Sequence, residues 1–318
     1  MNTEIELILY PQVNSARPGA VKAIKQRAEI ALGQVKLLFS SAEERLSRFK
    51  PESELSRLNR EGHLEKASLL LYESVQAALE MAKGTEGIYD PTILNALEAA
   101  GYNVSFELIG QNRITSVDKF VFPVATSYKR VTLDPSERSI RLAPGTKIDL
   151  GGIAKGMTVD RAAALLHQAG FTNFVVSAGG DMYVSGSNPR NAANTWKVGV
   201  LNPFTGEGAL TELVARDAAV ATSAVTKRRW MQGGKERNHL IDPRSGQPVD
   251  NGIATVSVVA PAARLADVFA KTALILGLEE GPKFIEKQPG CSALFVTTEG
   301  RMLKTRGLQE TSREAVEI

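Results

Sequence analysis

The order of the periodic segments limits this chain more than any other feature. Apolar residues recur at helical spacing through the first third, and short β-like runs separated by turn residues take over from about Lys119. In residues 19–48, Val21, Ile24, Ala28, Ile30, Ala31, Val35, Leu38 and Phe39 trace one buried helical stripe. Ser40-Ser41 ahead of Ala42-Glu43-Glu44 reads as a capped restart of that helix. A second helix is expected over Ala67–Lys83, stopped by Gly84 and Gly87, and a short one over Ile93–Ala100. Strands are expected over Phe120–Val124, Arg130–Leu133, Ser139–Leu142 and Lys147–Leu150, then a helix over Ala154–Ala169. Further strands follow over Asn173–Ser177, Met182–Val184, Trp196–Leu201, Leu210–Leu213, Ala218–Thr222, Ile253–Val259 and Ala293–Thr297. A helix over Ala266–Leu276 and a short one near Pro282–Lys287 sit between the last two. Helices first and strands later, with no regular βαβ alternation, predict an α+β fold with largely antiparallel sheets and packed helices. Neither an internal repeat nor a clear linker divides the chain, so residues 1–318 read as a single unit with two lobes.

Composition narrows the chemistry. Hydrophobic residues are 43% and charged residues 23% of 318, which argues against disorder and coiled coil as the main theme. Cys291 is the only cysteine, excluding a disulfide framework and any Cys-based zinc or iron–sulfur site within one chain. The histidines are His63, His167 and His239, and their spacing suggests no shared metal. Lys plus Arg is 38 against 35 Asp plus Glu, a net +3 that makes no case for nucleic acid but suits a phosphate-bearing small molecule. No apolar run approaches the roughly 20 residues of a membrane span. Met1–Tyr10 alternates Ile5, Leu7 and Leu9 with Glu4 and Glu6, an opening strand rather than a basic, apolar leader, and a cytoplasmic location is expected.

Four segments carry candidate chemistry. In Asp149-Leu150-Gly151-Gly152-Ile153-Ala154-Lys155 a strand ends in a carboxylate, two glycines turn, and a helix begins with a lysine in its first turn. Backbone N–H groups at such a helix start suit phosphate, although an ordinary glycine turn has the same look. Ser177-Ala178-Gly179-Gly180-Asp181 again places paired glycines after a strand, where a ligand can approach the backbone. Neither matches a dinucleotide fingerprint or a P-loop. His239-Leu240-Ile241-Asp242-Pro243-Arg244-Ser245-Gly246 gathers His, Asp, Arg and Ser around a turn, with a satisfied structural turn as the plainer reading. Asp267 opens an apolar helix and faces Lys271 four residues on, an arrangement that fits simple pairing as well as a site.

Taken in order, these segments resemble the ApbE-like flavin transferases (FAD:protein FMN transferases). The resemblance covers nearly the whole chain. It runs through Ser47-Arg48-Phe49-Lys50, Ser53 to Asn59, Gly87-Ile88-Tyr89-Asp90-Pro91-Thr92, Asp149 to Asp160, Ala178 to Asp181, Ala221-Thr222-Ser223, His239 to Pro248 and Ala266-Asp267. Ala99-Ala100-Gly101-Tyr102 looks like one branch of that family. The resemblance implies a T-fold-like, two-lobed unit with FAD in the cleft. It implies transfer of the FMN half of FAD to a Thr or Ser hydroxyl of an acceptor flavoprotein, with Mg²⁺ assistance and release of AMP. Asp149, Lys155 and Ser245 match flavin-contacting positions, and Phe49 an aromatic that stacks on the nucleotide. Ala99, Ala100, Gly101, Gly179, Gly180, Asp181 and Ser223 complete the implied FAD-binding set. Gly152 and Asp267 match metal-binding positions, and His239 a histidine that assists proton transfer.

Two departures bear on the chemistry. The family places Thr, a further metal ligand, four residues after the acidic ligand; here Lys271 stands there and Thr272 is one place late. One residue along a helix is about 100° of rotation, so Thr272 is expected to point elsewhere and the Lys271 ammonium to replace part of the metal's charge. Asn238 stands where close relatives often carry a second histidine. An FAD-binding, flavin-delivering protein and an FAD pyrophosphatase are therefore the alternative functions.

Overall fold

The computed structural model describes residues 3–12, 18–109, 127–190, 193–309 and 316–317. The described helices are α1 (Pro18–Leu46), α2 (Glu54–Glu61), α3 (Leu69–Gly84), α4 (Leu94–Ala99), α5 (Phe106–Ile109), α6 (Ala154–Gln168) and α7 (Ala263–Glu286). The strands begin with β1 (Ile5–Leu9), β2 (His63–Leu64), β3 (Val131–Asp134), β4 (Ser139–Leu142), β5 (Phe174–Ala178), β6 (Asp181–Ser185), β7 (Trp196–Leu201) and β8 (Ala209–Ala215). They continue with β9 (Ala218–Ala224), β10 (Arg229–Gln232), β11 (Lys235–Asn238), β12 (Ile253–Ala260), β13 (Ser292–Thr297), β14 (Met302–Lys304) and β15 (Val316–Glu317).

The main sheet has the order β1-β5-β6-β9-β12-β13-β14-β15 and is antiparallel except for β14–β15. Both faces are covered. Phe174, Val176, Val256, Val258, Ala293 and Phe295 join the large core under the helices, while Val175, Leu294 and Val296 join a second core under the β7–β8 hairpin. Alternate side chains leave a strand on opposite faces, so β5 and β12, buried on both sides, are mostly apolar and interrupted only by the small hydroxyl residues Ser177, Thr255 and Ser257. The chain is thus α+β with largely antiparallel sheets, as expected.

On the helical side, α1 runs unbroken through Ser40-Ser41, so the expected restart does not occur. Its buried face is Ala31, Val35, Phe39, Ala42 and Leu46, whereas Val21 and Ile30 are exposed. Gly156 lets α6 and α7 touch: a Cβ there would lie 2.5 Å from the Ala263 carbonyl oxygen. Asp160 then caps α7 from across the interface, accepting from the Ala263 N–H at 2.6 Å and the Arg264 N–H at 3.1 Å. α7 is interrupted at Gly277, φ 82°, which separates the two helical pieces expected there. The strand expected over Lys147–Leu150 does not form. The Asn59 side chain takes the place of a neighbouring strand, accepting from the Ile148 N–H and donating to the Ile148 carbonyl, both at 2.8 Å. The strand expected over Phe120–Val124 lies outside the described residues. Among the described residues no helix is long and apolar enough to cross a membrane.

Candidate functional site

A cavity of about 520 Å³ gathers the end of α1, the turn before α4, the start of α6, the ends of β5 and β9, the segment after β11, and α7. That is the size of an ordinary cofactor or substrate pocket. Phe49, Asp149, Gly152, Lys155, Gly179, Asp181, Ser223, His239, Asp267 and Lys271 all line it.

One wall is an aromatic shelf. The Phe49 and Tyr102 rings pack against each other with centroids 5.7 Å apart, and the Arg48 guanidinium lies over both, 4.1 Å from the first and 4.7 Å from the second. Its Nε pairs with Asp149 Oδ2 at 2.9 Å and its Nη2 donates to the Tyr102 carbonyl at 2.7 Å. Asp149 Oδ1 accepts from the Gly151 N–H at 2.8 Å, so this carboxylate shapes the turn into α6. The Arg48 segment is itself tied down by Ser53, whose Oγ caps α2 and donates to the Ser47 carbonyl at 2.7 Å.

Another part of the lining is a chain of alternating charges, with the two aspartates buried and the two lysines half-buried. Lys155 Nζ lies 2.8 Å from Asp181 Oδ2 and 3.5 Å from Asp267 Oδ2. Lys271, one turn along α7, pairs with Asp267 Oδ1. Burial works against the Lys155 charge, but Asp181 and Asp267 outweigh it and raise its pKa above the ordinary lysine value. Burial pushes Asp181 upward despite the attraction of Lys155, with Asp267 adding to the shift. Tyr89 also lines the cavity, against Gly152. Its buried hydroxyl has no hydrogen-bond partner among the described residues, and burial with Asp149, Asp267 and Asp90 nearby holds its pKa well above normal.

His239 follows β11 and sits edge-on to Tyr102, ring centroids 6.5 Å apart. Its Nδ1 is buried without a hydrogen-bond partner among the described residues. Burial, then the positive charges of Arg228, Lys271 and Lys155, lower its pKa well below the usual 6.5, against a backbone hydrogen bond with Arg228. The imidazole is therefore in its neutral base form at physiological pH, while the same burial and charges oppose its protonation. Asn238 braces the same turn, donating to the Val249 carbonyl at 2.9 Å and accepting from the Leu240 N–H at 3.0 Å.

Five expected binding residues do not line the cavity: Ala99, Ala100, Gly101, Gly180 and Ser245. The Ala99 and Ala100 carbonyls accept from Gln232 Nε2 and Trp230 Nε1, so this segment anchors the β10–β11 hairpin and presents Tyr102. Gly179 and Gly180, φ 64° and 98°, form the two-residue turn between β5 and β6. Positive φ at both central residues is what such a hairpin turn requires. Ser245 is exposed on its turn and its Oγ accepts from the Gln247 N–H at 3.2 Å, while Pro243 reaches the cavity instead. Conversely, Arg48, Tyr89, Tyr102, Lys227 and Arg228 line the cavity without having been singled out as site residues. Arg48, Tyr89 and Tyr102 lay in the quoted motifs, and the run Lys227-Arg228-Arg229 was the available signal for the last pair.

The residues do not fit a Mg²⁺ site. Among the described residues no group of three or more His, Cys, Asp or Glu could hold a metal ion. Both Asp267 oxygens face ammonium groups. Thr272 Oγ1 is buried and donates to the Val268 carbonyl at 2.9 Å, away from the cavity as expected. A dication that demands octahedral oxygen ligands finds its carboxylate already paired.

The chain is similar to known proteins along most of its length. The family model described as ApbE family matches residues 1–295. A protein of Treponema pallidum (strain Nichols) named FAD:protein FMN transferase is 28% identical over 320 residues, covering 95% of this chain and 85% of that one. A protein of the same name from Escherichia coli (strain K12) is 25% identical, covering 82% and 74%. The crystal structure of the ApbE protein from Thermotoga maritima superposes with a TM-score of 0.76 at 25% identity, over 94% of this chain and 93% of that one. The fold is also that of the flavin transferase ApbE from Vibrio cholerae, with a TM-score of 0.74 at 21% identity over 96% and 93%. A match that spans both parts of the cavity lining, from Arg48 to Lys271, assigns the chain to the ApbE family.

Proposed function

We propose that this chain transfers the FMN half of FAD to a Thr or Ser hydroxyl of an acceptor protein and releases AMP. The observation that carries the reading is the convergence of Phe49, Asp149, Lys155, His239, Asp267 and Lys271 on one cavity. The relatives named FAD:protein FMN transferase support it. On this reading residues 1–318 work as one domain, with FAD in the cleft between its helical first third and its main sheet.

The aromatic shelf of Phe49 and Tyr102 takes a flat ring of the dinucleotide, with the Arg48 guanidinium holding the two aromatics in place. Lys155, Lys271 and Arg228 supply the positive charge that a diphosphate requires. The acceptor oxygen forms a bond to the FMN-side phosphorus, and the bond from that phosphorus to the bridging oxygen breaks. The electron pair leaves with AMP, and the hydroxyl proton passes to the neutral His239 imidazole. Such phosphoryl chemistry depends on alignment and charge rather than on a covalent enzyme intermediate. Asp267 stays paired with Lys155 and Lys271 and so offers no free carboxylate to a metal ion.

That pairing also favours a second reading, in which the chain binds and delivers FAD without transfer. Water in place of the acceptor hydroxyl makes the third, FAD hydrolysis. Incubation of the protein with FAD and a candidate acceptor domain separates them. AMP with a fluorescent acceptor band supports transfer, AMP with free FMN supports hydrolysis, and bound FAD without AMP supports delivery.

A further inference from the structure

Asp181, Lys155, Asp267 and Lys271 form an alternating chain of two carboxylates and two ammoniums along one cavity wall. Freed of its lysines, such a carboxylate pair is the ordinary lodging of a hard dication. Here each Asp267 oxygen has its own cation, and the Asp267 side chain is only 2% exposed. Lys271 is packed as well as paired. A Cβ on Gly152 would lie 3.4 Å from both Lys271 Cδ and Cε, so the stem runs against the glycine turn that opens α6. Its head group also lies 3.3 Å from the Asp267 carbonyl, within hydrogen-bonding reach. Thr272, the next oxygen-bearing side chain, is spent on the Val268 carbonyl.

We propose that Lys271 is a built-in replacement for a divalent cation, so that this chain binds the diphosphate of FAD, and promotes its cleavage, without a metal. The proposal rests on the flavin-transfer reading above. An ammonium carries three donors and a compact charge. Lys271 can turn one donor to a phosphate oxygen while keeping another on Asp267, and Asp267 retains Lys155 throughout. Lys271 undergoes no covalent change: it donates hydrogen bonds to the phosphate oxygens as negative charge builds on the departing AMP. In that role it touches the substrate and is a catalytic residue.

The test uses the full chain freed of metal with a chelator. FAD binding is followed by flavin fluorescence, and metal binding by the paramagnetic resonance signal of Mn²⁺. Expected for the wild type are FAD dissociation constants within about twofold of each other in EDTA and in millimolar Mg²⁺, and no FAD-dependent bound Mn²⁺. Lys271→Thr removes the ammonium and sets an oxygen donor one turn from Asp267. It is expected to gain FAD-dependent Mn²⁺ binding and to bind FAD at least about tenfold more tightly with metal than without. Lys271→Arg keeps the charge and is expected to keep chelator-resistant FAD binding. Stoichiometric Mn²⁺ on the wild type, or wild-type FAD binding lost in EDTA and restored by Mg²⁺, overturns the proposal while leaving the flavin reading intact. Failure to bind FAD under every condition overturns the flavin reading and this proposal with it. The wild-type measurements decide the question even where a variant does not fold.

Discussion

His239 shows how a single residue acquires a role from its surroundings. In the sequence it is a histidine beside an Asp-Pro turn, and a structural role is the plainer reading. In the fold, burial and the charges of Arg228, Lys271 and Lys155 keep the imidazole neutral; His239 lines the cavity, and its buried Nδ1 has no hydrogen-bond partner among the described residues. Replacing it, His239→Gln, is expected to slow AMP release in the presence of acceptor by roughly 10²–10⁴-fold. FAD affinity, read by fluorescence titration, should change little; equal loss of both would return His239 to a structural role. The pH dependence follows from the direction of the shift. The base form persists down to the depressed pKa, so the rate should be level through neutral pH and fall only below the ordinary histidine range. Lys271→Thr in chelator removes one repelling charge, and the acid limb of the rate profile should move to higher pH.

Elements were legible to the extent that their signals are local. Ser139–Leu142 and Trp196–Leu201 form where the alternation placed them. Lys147–Leu150 has the same alternation, yet its backbone pairs with the Asn59 side chain, a partner that periodicity cannot reveal. The β10–β11 hairpin went unrecognised because its strands are polar, although Gly233-Gly234 between a buried Trp230 and an exposed Lys235 is a hairpin signal. The start of α7 is also non-local. Ala262 offers no capping side chain, and Asp160 supplies the cap from α6. Asp160→Ala should therefore destabilise the protein by on the order of 1–2 kcal/mol, measured as a lower urea midpoint with an unchanged slope. An unchanged midpoint would mean that the α6–α7 contact at Gly156 positions α7 without help.

At the scale of the whole molecule the cavity is a junction. Residues from Glu43 to Ile275 meet in it, from α1, the start of α6, the sheet and α7. A ligand that bridges those parts stabilises all of them at once. FAD at about 100 times its dissociation constant should stabilise the fold by about 2.7 kcal/mol. If residues 1–318 are one domain, the whole thermal transition should move upward as a single step in a calorimetric scan. A shift confined to one of two resolved transitions would instead show two independently folding lobes.

The sequence by itself determined those elements and turns whose signals are local. Helical spacing in α1 and α3, the apolar runs of β5 and β12, and the paired glycines 179 and 180 each depend on residues within a few positions of one another. Only the tertiary structure decided the charges. Lys155 and Asp267 stand 112 residues apart, yet they meet because a glycine at 156 lets two helices touch. Ser245, four residues before Val249 and inside a quoted motif, stays on the surface because its turn presents Pro243 inward instead. Coulomb energy depends on distance in space and on burial, and neither quantity is written in the spacing of residues along a chain.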